Sequence, residues 1–215
     1  MNLQTPKFAP PPAEAGGMEE ALLRASREET GLSGLSFSGQ SANGASFPGV
    51  DFRSCVFRNC RFPKCRSEKL SFVDAVFEAC DFSNAAFPES LFRRVEFRSC
   101  RLIGADFSRS IFEHVLLTGC SADWLGVSET ALKSVRFEGC GLESGNFGNC
   151  SFKNAEFLNC RMQRAEFLHA PLSGLDLTSD EIDGLSVSGP ELRGAIVTPL
   201  QACGLSRYLG LVLRF

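Results

Sequence analysis

Nearly every fifth residue of this chain is large and apolar, in one unbroken frame from Leu32 to Val197, giving 34 consecutive five-residue units. Eighteen of the 20 Phe residues share this phase, with only Phe8 and Phe215 outside it. Nine of the 10 Cys residues stand two positions before it, Cys203 being the exception. A period of five matches neither the 3.6 of a helix nor the 2 of a simple strand. It matches a solenoid, in which a short unit cannot bury its apolar residue alone and stacking closes a continuous core.

Cys80-Asp81-Phe82-Ser83-Asn84 and Ala105-Asp106-Phe107-Ser108-Arg109 show the unit most clearly: a small residue, a central Phe, then two polar residues. In this the chain resembles the pentapeptide-repeat proteins over about residues 32–197. The resemblance implies an all-β fold, a right-handed quadrilateral β-helix with one unit per side and 20 residues per coil. The cysteines return that coil length independently, because Cys60, Cys80, Cys100, Cys120, Cys140 and Cys160 are each 20 apart. At the usual strand spacing of about 4.8 Å, eight and a half coils make a rod of roughly 40 Å.

Composition narrows the function. A net charge of −3 argues against direct nucleic-acid binding, which needs a strong basic field. No 18-residue apolar run could span a bilayer, and the start lacks the apolar stretch of a secretory signal. A cytoplasmic location is expected, with the cysteines as thiols. The cysteines read as small buried filler rather than metal ligands, since their spacing is not that of a zinc site.

Both ends depart from the repeat. Residues 1–31 read as a flexible Pro- and Gly-containing arm followed by a short helix from Met18 to Glu29, stopped at Gly31 and capping the first coil. Residues 198–215 open with the capping box Thr198-Pro199-Leu200-Gln201, and helix is expected to Leu209 with Gly210 as the left-handed stop. This segment is similar to the one that caps and dimerises Qnr/MfpA-like pentapeptide-repeat proteins, and the unbroken frame is similar to their loop-free type. Leu205, Tyr208, Leu209, Leu211, Val212, Leu213 and Phe215 are the expected contacts of a homodimer. Two soft spots lie in frame. Ser67 puts a hydroxyl where a Phe belongs, and residues 63–69 are expected to bulge outward. Ala122 leaves a vacancy, which Trp124 either folds back to cover or leaves alone by standing out as a contact for a partner.

No catalytic constellation is found, and no cofactor is implied. His114 and His169 are outward with no nucleophile beside them, and the phosphate-loop, G-x-S-x-G and H-E-x-x-H patterns are absent. What remains is the surface. A 20-residue coil aligns Asp123, Glu143 and Asp183 in one column and Glu156 with Asp176 in the next, near Glu138 and Glu181. Residues 111–191 hold 12 acids and 5 bases, an excess of seven negative charges. Arg53, Arg93, Lys133, Lys153 and Arg193 share a column on another face. The resemblance implies that such an acidic edge mimics DNA, binding DNA gyrase or topoisomerase IV and protecting it from quinolones or similar poisons. The other reading is a non-catalytic interaction scaffold with an unrelated protein partner.

Overall fold

The computed structural model describes residues 2–211, and the chain winds through them as a four-sided parallel β-solenoid. In chain order it comprises β1 (Ala13–Glu14), α1 (Met18–Arg27), β2 (Leu32–Ser33), β3 (Leu35–Ser38) and β4 (Asp51–Arg58). Then come β5 (Ser71–Glu78), β6 (Leu91–Arg98), β7 (Ile111–Thr118), β8 (Ala131–Glu138), β9 (Ser151–Leu158), a 3₁₀ turn (Pro190–Leu192), α2 (Pro199–Leu205) and a closing 3₁₀ turn, Ser206–Leu209. From β4 to β9 each strand pairs in parallel with the next at an offset of 20, so that Phe52, Phe72, Phe92 and Phe112 share a row. These strands run across two walls of the rod, centred on Phe52 and on Phe57. The third and fourth walls are held by single bridges such as Arg61↔Asp81 and Arg66↔Ala86.

The corners explain the period. From Leu32 to Leu192 the second residue after each centre except Leu177 adopts the left-handed conformation, as in Ser54 (φ 51°), Asn59 (52°), Lys64 (59°) and Lys69 (59°). One such residue in five turns the chain by a side, and four close the coil. The left-handed region is costly for residues other than Gly and Asn, and stacking of identical coils holds them there. Inside, Phe57 and Phe77 stack with ring centroids 4.8 Å apart and planes at 12°, and Phe77 and Phe97 repeat this at 5.0 Å. The cysteine ladder is a hydrogen-bond ladder too. Each thiol donates to a carbonyl 23 residues back, Cys80 to Phe57 at 3.3 Å and Cys100 to Phe77 at 3.4 Å. The nine repeat cysteines are buried thiols, and burial pushes Cys65 and Cys150 up to about 11.

The soft spots resolve differently from the sequence expectation. Residues 63–69 do not bulge. Ser67 is buried, its hydroxyl accepts the Phe47 N–H at 2.8 Å, and the rings of Phe47 and Phe87 close over it to 5.8 Å. Ala122 is buried without help from Trp124, which is 62% exposed. Leu125, fully buried at a position that the preceding coils fill with Cys or Ala, restores the apolar volume.

Polar residues terminate the ladder at both ends. In the first coil Gln40 occupies the cysteine column, accepts from the Met18 N–H at 2.7 Å and donates to the Ala15 carbonyl at 2.6 Å. That fixes α1, whose Met18, Leu22 and Ala25 are buried in the core. The helix ends at Glu28–Glu29, with Glu29 in the left-handed conformation (φ 51°), so Gly31 is not the stop. At the other end the Thr198–Gln201 capping box forms, and the Gln201 amide also reaches the Leu177 and Asp180 carbonyls, both at 2.8 Å. The helix is shorter than expected, passing into the 3₁₀ turn at Ser206 before the left-handed Gly210 (φ 68°).

The arm is the largest correction. Expected to be flexible, it lies extended along the second wall, with β1 paired in parallel to β3. The Lys7 N–H donates to Asp74 at 3.0 Å, Ser54 donates to the Lys7 carbonyl at 3.2 Å, and the Gln4 N–H meets His114 Nδ1 at 3.4 Å.

Candidate functional site

Seven acidic residues carried the surface expectation, and the coils bring them to adjacent walls as the 20-residue period requires. Arg136, Glu156 and Asp176 occupy one outward column of the second wall, Asp123, Glu143 and Asp183 one of the third. The columns are not simply negative. Arg136 pairs with Glu156 at 2.8 Å, one coil apart. Arg164 pairs with Glu143, and Gln163 donates to Glu181. Asp123 accepts the Glu143 N–H at 3.1 Å, and Arg161 lies beside it across the Cα of Gly141. Asp176 receives the N–H and hydroxyl of Thr178, which hold its carboxyl below the usual range. Glu138, Asp176 and Asp183 are exposed and form no ion pair among the described residues. The acidic edge is therefore a mosaic, with arginines set into it.

The basic column is interrupted in the same way: Arg53, Val73, Arg93, Glu113, Lys133 and Lys153 follow one another, and Arg93 pairs with Glu113 at 2.8 Å.

Trp124 stands at a left-handed corner (φ 56°) of the third wall, one residue after Asp123. A bulky aromatic side chain held there in solvent is uncommon. It is the most exposed aromatic residue of the repeat region, next to the paired Glu143 and Arg164.

At the C-terminal end Leu205 and Tyr208 are half-buried against the core, and the Tyr208 hydroxyl donates to the Leu185 carbonyl. Both close the chain's own last coil. Leu200 and Leu211 are exposed, and Leu211 lines a concavity of about 830 Å³ with Leu192, Ala195, Val197 and Leu205. The Leu209 side chain and residues Val212, Leu213 and Phe215 lie outside the described residues. Among the described residues there is no cluster of three or more metal-ligating side chains, and no helix long and apolar enough to cross a membrane.

Comparison with known proteins settles the family. A model of the pentapeptide repeat region matches residues 50–126, and one of pentapeptide repeats (8 copies) matches 32–66 and 142–178, more than half of the chain together. The chain belongs to the pentapeptide-repeat family. Pentapeptide-repeat solenoids are in general non-enzymatic scaffolds. No curated protein sequence matches. Among solved structures it is similar to HetL, a pentapeptide-repeat protein involved in heterocyst differentiation regulation in the cyanobacterium Nostoc sp. The identity is 15%, the TM-score is 0.53, and 77% of this chain and 84% of HetL are covered. It is also similar to a trypsin-treated form of QnrB1, a plasmid-mediated fluoroquinolone resistance protein. There the identity is 23%, the TM-score is 0.44, and 86% of this chain and 99% of QnrB1 are covered. These likenesses concern the fold.

The site that sequence reasoning missed is the groove under the arm. Outward residues of the second wall fade from buried to exposed along the rod: Ser36 4%, Val56 5%, Val76 6% and Glu96 6%, then half-buried Leu116, Arg136 and Glu156, then exposed Asp176. No other wall buries this position over successive coils. The signal was present in the sequence. Val56, Val76 and Leu116 put apolar side chains on the outside of the rod, which calls for a cover.

Proposed function

We propose that this pentapeptide-repeat protein is a non-catalytic rod that binds a protein partner through its outer surface. The observation that carries the reading is Trp124, held in solvent at a rod corner beside the Glu143–Arg164 pair. Trp and Arg are the residues around which protein–protein binding energy concentrates. The rod's interior is filled with stacked rings, which leaves the surface to do the work. The test is complex formation in the native host, read by size-exclusion of the tagged chain. Trp124→Ala is expected to abolish the complex at unchanged thermal stability; an unaffected complex would refute the assignment.

A second reading is DNA mimicry: binding of DNA gyrase or topoisomerase IV with protection from quinolones. It is favoured by the excess of seven negative charges over residues 111–191 and by the exposed Glu138, Asp176 and Asp183. The arginines set among the acids weigh against it, since a phosphate mimic works best with carboxylates that are not already neutralised. In this reading a homodimer through Leu200, Leu211 and the residues beyond places two acidic halves next to the two-fold axis. Gyrase supercoiling with and without a fluoroquinolone decides it. No rescue at micromolar protein removes topoisomerase as the partner. Leu211→Glu should yield a monomer by light scattering.

A further inference from the structure

Among the described residues, the hydrogen bonds that hold residues 2–12 use the arm's main chain: the N–H of Gln4 and the N–H and carbonyl of Lys7 meet His114, Asp74 and Ser54, which lie in one corner column at the first wall's edge. Leu3, Pro6 and Phe8 are half-buried. The geometry is that of a straight strand laid along the axis. Three extended residues cover about 10 Å and two coils about 9.6 Å, matching the step from Asp74 to His114. The floor is the row Val56, Val76, Glu96 and Leu116, apolar except for Glu96, which pairs with Arg98. Pro6, Pro11 and Pro12 favour extended backbone on either side of the bend at Ala9–Pro10, which lowers the entropy lost on docking. Past Asn2 the groove continues as a concavity of about 830 Å³ that reaches Asn154 and the exposed carboxylate of Asp176.

Contacts through main-chain atoms do not depend on which side chains the strand carries. The anchoring bonds are exposed to solvent, where water competes for the same groups and the net contribution of each is small. An arm held this way opens readily, and other extended segments can make the same bonds.

We propose that the second wall is a binding groove for an extended, proline-containing protein segment, filled in cis by residues 2–12 until a partner's segment displaces them. The partner strand has small or apolar residues over Val56 and Val76 and a basic residue where the groove runs out to Asp176. This rests on the reading of the rod as a protein-binding surface and names a site on it apart from Trp124.

The experiment uses the full chain and a fluorescein-labelled peptide of residues 2–12. The variant Gln4→Pro with Lys7→Pro removes the two anchoring N–H groups and leaves the rod intact. Anisotropy titration is expected to show the peptide binding this variant about tenfold more tightly than the unaltered chain, since two bonds of this kind correspond to at least a tenfold shift. Val76→Arg on the same background, at a column position that already carries Arg136, should weaken binding by tenfold or more. A peptide whose polar residues are scrambled, with its prolines and apolar residues kept in place, should bind within a few-fold. Equal affinity for the two chains, no binding to the double variant at millimolar peptide, or failure of the scrambled peptide would each overturn the proposal. Because no native partner is needed, the groove can fail while the Trp124 surface stands.

Discussion

Replacing Asp180 with Asn should stabilise the C-terminal coil at neutral pH and remove a pH dependence that the unaltered chain shows. Asp180 occupies the rung after Cys160 in the cysteine column and is buried. One carboxyl oxygen accepts the Cys160 N–H at 2.7 Å, while Oδ2 has no partner. Side chains at this rung otherwise donate: Cys160 gives its proton to the Phe137 and Leu158 carbonyls at 3.4 and 3.6 Å. By the repeat, Asp180 Oδ2 is set toward the Phe157 and Thr178 carbonyls, where an ionised oxygen meets only acceptors. Burial pushes the carboxyl up, with Asp176 adding to the effect and the Cys160 N–H opposing it; Glu181 and the Gln201 amide are the other polar side chains nearby. With the folded pKa raised above the unfolded one, the group's contribution is complete at pH below the unfolded value. It is lost as pH climbs through the folded value. Asparagine offers the acceptor and a permanent donor. The cost relieved is that of one unsatisfied buried polar group, about 1–3 kcal/mol. Urea unfolding and hydrogen exchange at the Cys160 N–H, each at pH 4 and pH 7.5, measure it. Asn should gain at pH 7.5 and little at pH 4, and Asp180→Cys should behave alike. A variant less stable than the parent at pH 7.5, or a gain equal at both pH values, refutes the reasoning.

Phe97→Ala, in the middle of the stacked column, should cost about 3–5 kcal/mol in the same unfolding assay. Under native conditions a chromogenic thiol reagent should modify Cys203 rapidly, since it alone is exposed, and reach the other nine only on unfolding. Trp124, the only tryptophan, should show red-shifted emission fully quenched by acrylamide; blue-shifted, protected fluorescence would contradict its exposure. Gln201→Ala removes one arm of the capping box and two bonds to the last coil, and should lower stability by about 1–2 kcal/mol with early fraying of the C-terminal segment by hydrogen exchange.

The core was readable because one residue in five points inward and nothing else competes with that rule. Its C-terminal end was readable through the capping box, whose chemistry is local. The arm was not. Prolines and glycines describe a chain without regular structure, and extended backbone docked on a wall has the same composition as a free tail. The clue lay instead in Val56, Val76 and Leu116, far off in sequence. For the acidic edge, counting carboxylates per column does not give the charge it presents, because Arg136 shares a column with Glu156 and Asp176 and pairs with Glu156. Arg58–Glu78, Asp74–Arg94, Glu89–Arg109, Arg93–Glu113 and Arg136–Glu156 all pair at a separation of 20. In the bidentate Asp74–Arg94 pair, burial would raise the carboxyl, and Arg94 with the Lys7 N–H outweighs it. Neighbours across coils set the charge that a partner meets.

The left-handed corner every five residues has a consequence for change over generations. Duplicating or deleting a single unit would keep every aromatic ring stacked, yet it would rotate all that follows by a quarter turn, carrying Trp124 to the adjoining side. Gaining or losing four units would lengthen or shorten the rod and leave each side's chemistry where it was. Reach and facing can therefore be altered separately in such a protein, without redesigning its interior.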